Sequence, residues 1–359
     1  MKTVWNRGVT YMKTIILAGG GHAHLAGISK GILNNLSEAR IIMISPSRYQ
    51  YYSGMFSGFT EGLYQEEDIR IDLQALAGRH RFTFLKEQVT VISAEEKAVY
   101  TDAGNRYSFD LLSIDVGSSQ KAGSSILPIK PNHSFPDSIR CFREGQAPVI
   151  AGGGAAGVEL ALAAAAYRRK KGMKAPVTLI SGGPLLSSSH TNHLQKICSA
   201  KGVQVIANKK ASLTSSEALE AGGETIPFSG LLWLTGPEAP ALFKESGMGT
   251  DEHGFLSVDD RLSYSDSIFA AGDCAAISSY PKLPKNGVYA VRQSEILWKN
   301  LIRSVHGEAL LPFEPQKRYL AILSTGDREG FLTYGGLHYH GSSAWKLKNV
   351  IDRRYMNSF

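Results

Sequence analysis

An α/β fold with two Rossmann-like dinucleotide-binding domains and a small carboxy-terminal α+β region is what this sequence predicts. Two glycine clusters, each set between an apolar run and a helix-like segment, predict it, together with later apolar runs that end in glycine. In the first cluster, residues 15–18 read as a buried parallel strand, Gly19 permits a tight turn, and Gly21 has no side chain to hold a phosphate off the backbone. The helix that follows offers N–H groups and partial positive charge to a pyrophosphate. His24 stands where a third glycine would complete the pattern, so this cluster alone fits a plain strand-turn-helix equally well.

The second cluster carries the full pattern at Gly152, Gly154 and Gly157, followed by Glu159. It opens an alanine-rich segment that ends in Tyr167-Arg168-Arg169-Lys170-Lys171, basic residues that suit a helix C-terminus. Residues 176–180 read as the next parallel strand. Two such units in one chain point to two dinucleotides bound by one protein.

The 359 residues are 43% hydrophobic and 20% charged, which suits a globular protein of two or three domains. No apolar stretch approaches the ~20 residues of a membrane span, and residues 15–18 are too short for a signal-peptide core. Residues 1–12 read as an extension, with Met12 an alternative start. Three widely spaced cysteines, Cys141, Cys198 and Cys274, form no paired framework, so a reducing cytoplasm is expected. The net charge of +7 suits anionic cofactors or an anionic membrane face. No basic stretch is interleaved with aromatics as a stacking platform requires, so nucleic acid is not expected as a partner.

Residues 39–45 form the second strand of the first unit. No acidic residue follows to bind an adenosine ribose, which leaves Ser45 and Arg48 for that contact. The aromatic stretch 49–56 suits core and cofactor wall about equally. Residues 69–76 suggest a short helix and 81–85 a strand. Residues 89–92, 98–101 and 106–109 suggest antiparallel strands, and 111–118 a buried strand ending in Gly117-Ser118. Four prolines make 119–148 a linker. Residues 230–236 repeat the form of 111–118 and end at Gly236, and 267–275 give a strand with Gly272-Asp273 at its end. A helix follows Gly287, its first N–H groups free to face a ligand. Short strands come near 321–324 and 330–334. From Ser342, Trp345, Leu347, Val350, Ile351, Tyr355 and Phe359 recur roughly as one helix face, among Lys346, Lys348, Arg353 and Arg354. That face would lie on an anionic bilayer or, more in keeping with ordinary proteins, pack on the first domain. His22 and His24 lack neighbouring carboxylate or cysteine partners, so no metal site is expected.

Gly152-x-Gly154-x-x-Gly157-x-Glu159 with Ala271-Gly272-Asp273 resembles the two-dinucleotide-binding flavoprotein superfamily. More specifically, five segments resemble one family in order: residues 19–24, 52–55, 112–118, 288–293 and 345–354. It is the NADH-dehydrogenase-like flavoprotein module often fused ahead of selenide, water dikinase, a member of the pyridine nucleotide-disulfide oxidoreductases. The likeness spans residues 13–357 with no kinase portion, as in a free-standing form.

That resemblance implies FAD at Gly19 and Gly21, with His22 and His24 in the same loop, Gly117 and Ser118 on the adenosine side, and Gly272 and Asp273 at the ribityl and phosphate. The helix after Gly287 would face the flavin pyrimidine edge. It implies NADH or NADPH at Gly152, Gly154, Gly157 and Glu159, with Ser181 and Gly236 at neighbouring strand ends. Ser181 stands where an acid would select NADH or an arginine NADPH, so discrimination should be modest. The implied domains are 13–120 with 259–309 for FAD, 145–258 for NAD(P)H, and 310–359 as the carboxy-terminal region. The implied activity passes hydride from NAD(P)H to FAD and electrons to a quinone or a selenium or sulfur species. A non-catalytic flavin-binding partner of a selenium-handling enzyme is the alternative. Residues 49–55 lack the cysteine pair of disulfide reductases, so dithiol chemistry is not implied. The expected location is cytoplasmic or peripheral on the inner membrane face.

Overall fold

The computed structural model describes residues 12–121, 123–187, 189–316 and 318–359. Of the expected extension at residues 1–12, residues 1–11 lie outside them. The chain divides into two compact units, each assembled from three separate segments.

The first unit comprises the segment ending at Arg48, Leu73–Val116 and Ala241–Glu314. Its six-stranded sheet runs Ser263–Ser265, Ile268–Ala270, Leu111–Ile114, Lys13–Ala18, Ala39–Ile44, Thr83–Leu85. Lys13–Ala18 lies at the centre, with Ile15 opposite Ile41 on one side and Leu111 on the other, both parallel. Ile15, Ile16, Leu17 and Ala18 are wholly buried, which is why the strand is a continuous apolar run rather than an alternation. The short helix His22–Ile28 packs on Gly287–His306. The indole of Trp298 fits against Gly27, where an added Cβ would stand 2.0 Å from the ring, and its Nε1–H is shared between the carbonyls of Ala23 and His24 at 3.2 Å each.

The second unit comprises Tyr49–Asp72, Gly117–Pro240 and Pro315–Phe359. Its parallel sheet runs Val203–Ala207, Val177–Ser181, Pro148–Ala151, Gly230–Trp233. Helix Ala155–Lys170 buries alanines 161 and 163–166, small enough for strand Ala321–Gly326 and helix Phe56–Glu61 to lie against it. A three-stranded antiparallel sheet, Ala321–Gly326, Glu329–Tyr334 and Leu337–Gly341, precedes helix Ser342–Met356.

Three readings are corrected, and the two left open for residues 49–56 are decided. Residues 119–148 are not a linker: they hold helix Phe135–Glu144, whose Phe135 is fully buried and stacks on Phe56 at 3.7 Å between ring centres. Residues 69–76 are not one helix but strand Arg70–Asp72 followed by helix Leu73–His80. The aromatic stretch is core, with Tyr51, Met55 and Phe56 buried. The last helix packs on the preceding sheet of its own unit, and its apolar residues do not share one face. Ala344, Trp345, Lys348, Asp352 and Tyr355, spaced at helical i, i+4 and i+7 intervals, form the inner stripe. Leu347, Val350 and Ile351 point outward at 42%, 62% and 46% exposure. The contact division also sets Tyr49–Asp72 and the carboxy-terminal region in the second unit and 241–258 in the first.

Candidate functional sites in the two units

In the first unit the turn after the central strand is built for close approach. Gly19 has φ +93°, and an added Cβ there would stand 2.3 Å from the Asp115 carbonyl oxygen. His24 replaces the third glycine without facing outward. It is fully buried, its Nδ1–H donates to the Gly19 carbonyl at 2.7 Å, and its Nε2 accepts from the Ser113 hydroxyl at 2.7 Å. Burial outweighs the Gly19 bond and holds its pKa down to about 4, so the ring is neutral. His24 therefore braces the loop rather than contacting a cofactor, a correction to its place in the FAD set.

Asp115 was not picked out by its sequence neighbourhood. Its Oδ2 accepts from the N–H groups of Ala23 at 2.7 Å and His24 at 3.1 Å, capping a helix whose own cap residue, Gly21, has no side chain. A Cβ at Gly21 would meet this carboxyl at 2.2 Å and one at Gly272 would meet it at 2.5 Å. Burial raises its pKa to about 6, helped by nearby Asp273 and opposed by the His24 and Ala23 amides and by His22. The first N–H groups of this helix are thus taken by the Asp115 carboxylate, which sits between the two glycine turns. Gly272, at φ +75°, donates its N–H to Gln293 Oε1 at 2.6 Å. Beside it opens a cleft lined by Asp251, Asp273, Lys285, Asn286, Tyr289 and Gln293. The helix after Gly287 is not open at its start: Asn286 accepts from Val288 N–H at 3.0 Å and Tyr289 N–H at 3.2 Å, which corrects the expectation of free groups. Ser45 is buried at the end of Ala39–Ile44, and Arg48 is exposed. Gly117 and Ser118 fall in the second unit, where Ser118 Oγ accepts from Lys130 at 2.7 Å.

Opposed shifts at this loop give a pH prediction. As pH falls from 6.5 to 4, the unfolded chain protonates His24 and the folded chain resists, which costs up to about 3 kcal/mol. Over nearly the same range the folded state protonates Asp115 first, which returns about 3 kcal/mol. Asp115→Asn keeps a capping oxygen and removes the second effect alone. Relative to the native protein, it should lose about 3 kcal/mol between pH 7.5 and 4. Urea unfolding at the two pH values measures this, and an unchanged difference would refute it.

In the second unit, Gly152 at φ +134° and Gly157 pack the turn tightly. An added Cβ would stand 2.2 Å from the Leu234 carbonyl oxygen in the first case and 1.8 Å from the Gly152 oxygen in the second. Around Gly154 an added Cβ meets nothing within 4 Å, and the 16-residue helix begins at the next residue. That is an open backbone approach to a helix start, as a dinucleotide phosphate needs. Gly236, at φ +136°, is similarly open at the end of Gly230–Trp233. Ser181 is buried and donates to the Gly183 carbonyl at 2.7 Å, so its hydroxyl is not a ligand contact as expected.

Glu159 points into the unit, with its side chain 18% exposed. Its Oε1 accepts from Ser57 Oγ at 2.9 Å and Ser324 N–H at 2.8 Å, and Lys348 Nζ lies 3.9 Å away. Lys348 donates to Asp352 at 2.8 Å and to the Gly54 carbonyl, and Tyr52 donates to Asp352 at 3.0 Å. Burial pushes the Glu159 and Asp352 carboxyls up, Lys348 opposing. Burial works against the Lys348 ammonium, but the two carboxylates outweigh it and raise its pKa. A small recess lies beside the cluster, lined by Ser57, Tyr64, Ser324, Trp345 and Lys348. Ser324 Oγ is buried there without a hydrogen-bond partner. Lys348 reaches Glu159 across 189 residues of sequence, which is why spacing did not reveal the pair.

The cysteines are free. Cys198 and Cys274 are buried, their thiols pushed up to about 12, which keeps them protonated and inert. Among the described residues no group of three or more histidine, cysteine or carboxylate side chains is placed to hold a metal ion.

The type II NADH:quinone oxidoreductase of Staphylococcus saprophyticus is 24% identical to this chain over 387 positions, covering 95% of this chain and 94% of that one. The same-named protein of Staphylococcus aureus is 24% identical over 393 positions with the same coverage. Among solved structures, Plasmodium falciparum NDH2 in complex with NADH superposes with a TM-score of 0.79 at 13% identity, over 97% of each chain. The sulfide:quinone oxidoreductase of Aquifex aeolicus gives 0.78 at 17% identity, over 96% of this chain and 92% of that one. Residues 11–294 match the family described as pyridine nucleotide-disulphide oxidoreductase. Two glycine-turned parallel sheets in one polypeptide are the frame of that family, and the chain belongs to it as an FAD-dependent oxidoreductase of a pyridine nucleotide.

Proposed function

We infer that this protein takes hydride from a nicotinamide dinucleotide and passes the electrons through FAD to a quinone. The observation that carries the reading is the pairing of an open glycine turn at Gly154 with a buried Glu159–Lys348–Asp352 cluster in one unit. Bound FAD would supply the exchange between a two-electron hydride donor and the acceptor. The chain's own residues do the rest. Gly152, Gly154 and Gly157 let the dinucleotide phosphates reach backbone N–H groups. Gly19, Gly21, Gly272 and Asp273 would hold FAD, with Asp115 and Gln293 fixing the loops. Reducing a quinone to a quinol consumes two protons, and burial raises both carboxyls above their ordinary range, which favours the protonated form of each. Glu159 and Asp352, on Ser57, Tyr52 and Lys348, are suited to that task. The staphylococcal relatives are named for quinone reduction, which favours this acceptor over a selenium or sulfur species.

The decisive experiment is anaerobic reduction of the purified yellow protein by NADH and by NADPH, then mixing with a soluble quinone, a polysulfide or a selenium compound. Bleaching by nucleotide and rapid recovery with quinone is the expected result. Recovery only with the chalcogen species would replace the acceptor. Tight FAD that neither nucleotide bleaches would replace the enzyme with a non-catalytic binding partner.

Membrane association is part of this reading, because quinones reside in bilayers. No helix among the described residues is long and apolar enough to cross a membrane. Leu347, Val350 and Ile351 stand outward beside Lys346, Arg353 and Arg354 on one helix, a composition that suits an anionic interface. Replacing the three apolar residues by serine should abolish sedimentation with anionic vesicles while leaving the melting temperature within a few degrees. Equal sedimentation of both proteins would remove the membrane from the proposal.

A further inference from the structure

At the end of the second unit's second strand the chain places Lys209 and Lys210, a segment more than 50 residues beyond Gly157. Strand Val177–Ser181 ends at Gly182, the level at which an acidic side chain selects NADH by binding the ribose hydroxyl. From Ser181 through His190 the sequence contains no aspartate or glutamate. The neighbouring parallel strand, Val203–Ala207, ends level with it, Ala207 opposite Ser181. The chain then turns through Asn208 at φ +58° and lays Lys209 and Lys210 across the end of the first strand. Lys209 N–H donates to the Ser181 carbonyl at 2.9 Å. A Cβ built on Gly182 would stand 3.3 Å from Lys210 Cγ and 3.9 Å from its Cα.

The two lysines differ in what they can do. The stem of Lys209 crosses Gly222, where an added Cβ would come within 2.5 Å of its Cδ, so it is committed to covering that turn. Lys210 lies over Gly182 and is exposed. Of the carboxylates around the adjacent hairpin, Glu217, Glu220 and Glu224, Glu220 turns back on itself, its Oε1 accepting from Gly223 N–H at 2.6 Å. The strand end therefore carries positive charge where NADH-selective units carry negative charge.

We propose that Lys210, across Gly182, is a specificity residue for the 2′-phosphate of NADPH. The proposal rests on the reading of the second unit as the nicotinamide dinucleotide domain. A carboxylate at this level would repel the dianionic phosphate. An ammonium on a flexible stem meets it as a point charge and leaves the ribose hydroxyl of NADH without a charged partner.

The test uses the FAD-loaded full chain and two fragments that differ only in the group concerned, adenosine 2′,5′-bisphosphate and 5′-AMP, titrated by calorimetry. The native protein should bind the bisphosphate at least tenfold more tightly. Lys210→Ala should weaken the bisphosphate five- to tenfold and leave 5′-AMP unchanged, and Lys210→Glu should reverse the order. Steady-state kinetics should show the KM for NADPH rising in both variants, with kcat and the KM for NADH held. Lys209→Ala should change the ratio less than twofold. Equal affinity of the native protein for the two fragments, or equal loss of both in Lys210→Ala, overturns the assignment. Binding of neither fragment nor nucleotide instead overturns the reading of the domain on which it rests.

Discussion

Lys348→Met is expected to destabilise the second unit by about 3–5 kcal/mol, the usual cost of leaving a buried charge without its partner. Lys348 is 13% exposed and serves two carboxylates, Glu159 at 3.9 Å and Asp352 at 2.8 Å. Methionine fills similar volume, so the loss would be electrostatic rather than a cavity. The sign of the pH dependence follows. Both carboxyls already sit above their ordinary range, and without the ammonium they rise further. A raised carboxyl destabilises the fold above its pKa, and the penalty is relieved as pH falls and the group protonates. The variant should thus be most damaged at pH 8 and recover toward pH 5. Adding Glu159→Gln should restore a large part of the loss, because the amide can still accept from Ser57 and Ser324 without a charge. Chemical unfolding of the four proteins of this cycle measures the coupling. A Lys348→Met protein within 1 kcal/mol of native would show the cluster to be hydrated and weakly coupled.

Gly21→Val is expected to give colourless protein. A Cβ there would stand 2.2 Å from the Asp115 carboxyl, which is not a freely moving end but is tied to two amides at 2.7 and 3.1 Å. The branched side chain must expel the carboxylate or push the loop outward, and either change destroys the surface proposed for the FAD phosphates. Absorbance of the purified protein near 450 nm, before and after incubation with FAD, measures the loss. Gly154→Ala is the matched comparison, since its added Cβ touches nothing within 4 Å. It should fold, remain yellow and weaken only the nicotinamide nucleotide. A Gly21→Val protein with full flavin content would place the cofactor elsewhere.

What could be read from the sequence, and what could not, divides by distance along the chain. Strand Lys13–Ala18 and strand Gly230–Trp233 are runs of apolar residues because both faces of a parallel sheet are covered, and a run is visible locally. Gly152, Gly154 and Gly157 are visible because the turn imposes fixed spacing. Asp115 was missed because its contact with Ala23 crosses 92 residues, and no local pattern marks a carboxylate that caps another segment's helix. Lys210 was missed for the same reason, its neighbour Gly182 belonging to the previous strand. The Asn286 cap, by contrast, had a local signal: asparagine directly before Gly287 and an apolar helical pattern. Prolines concealed helix Phe135–Glu144, although Pro136 occupies a first-turn position where proline is tolerated. The last helix misled because apolar residues on two different stripes, one buried and one exposed, were counted as one.

The three-segment assembly of the second unit bears on how the protein is made. A nascent chain that has delivered residues through Pro240 has Glu159 and its surrounding helix in place but not Ser324, Lys348 or Asp352, which arrive only with the last segment. Domains commonly fold as they leave the ribosome, amino-terminal first. This one leaves Glu159 without those partners until residues 324–352 have emerged, so closure of the cluster waits on the third segment.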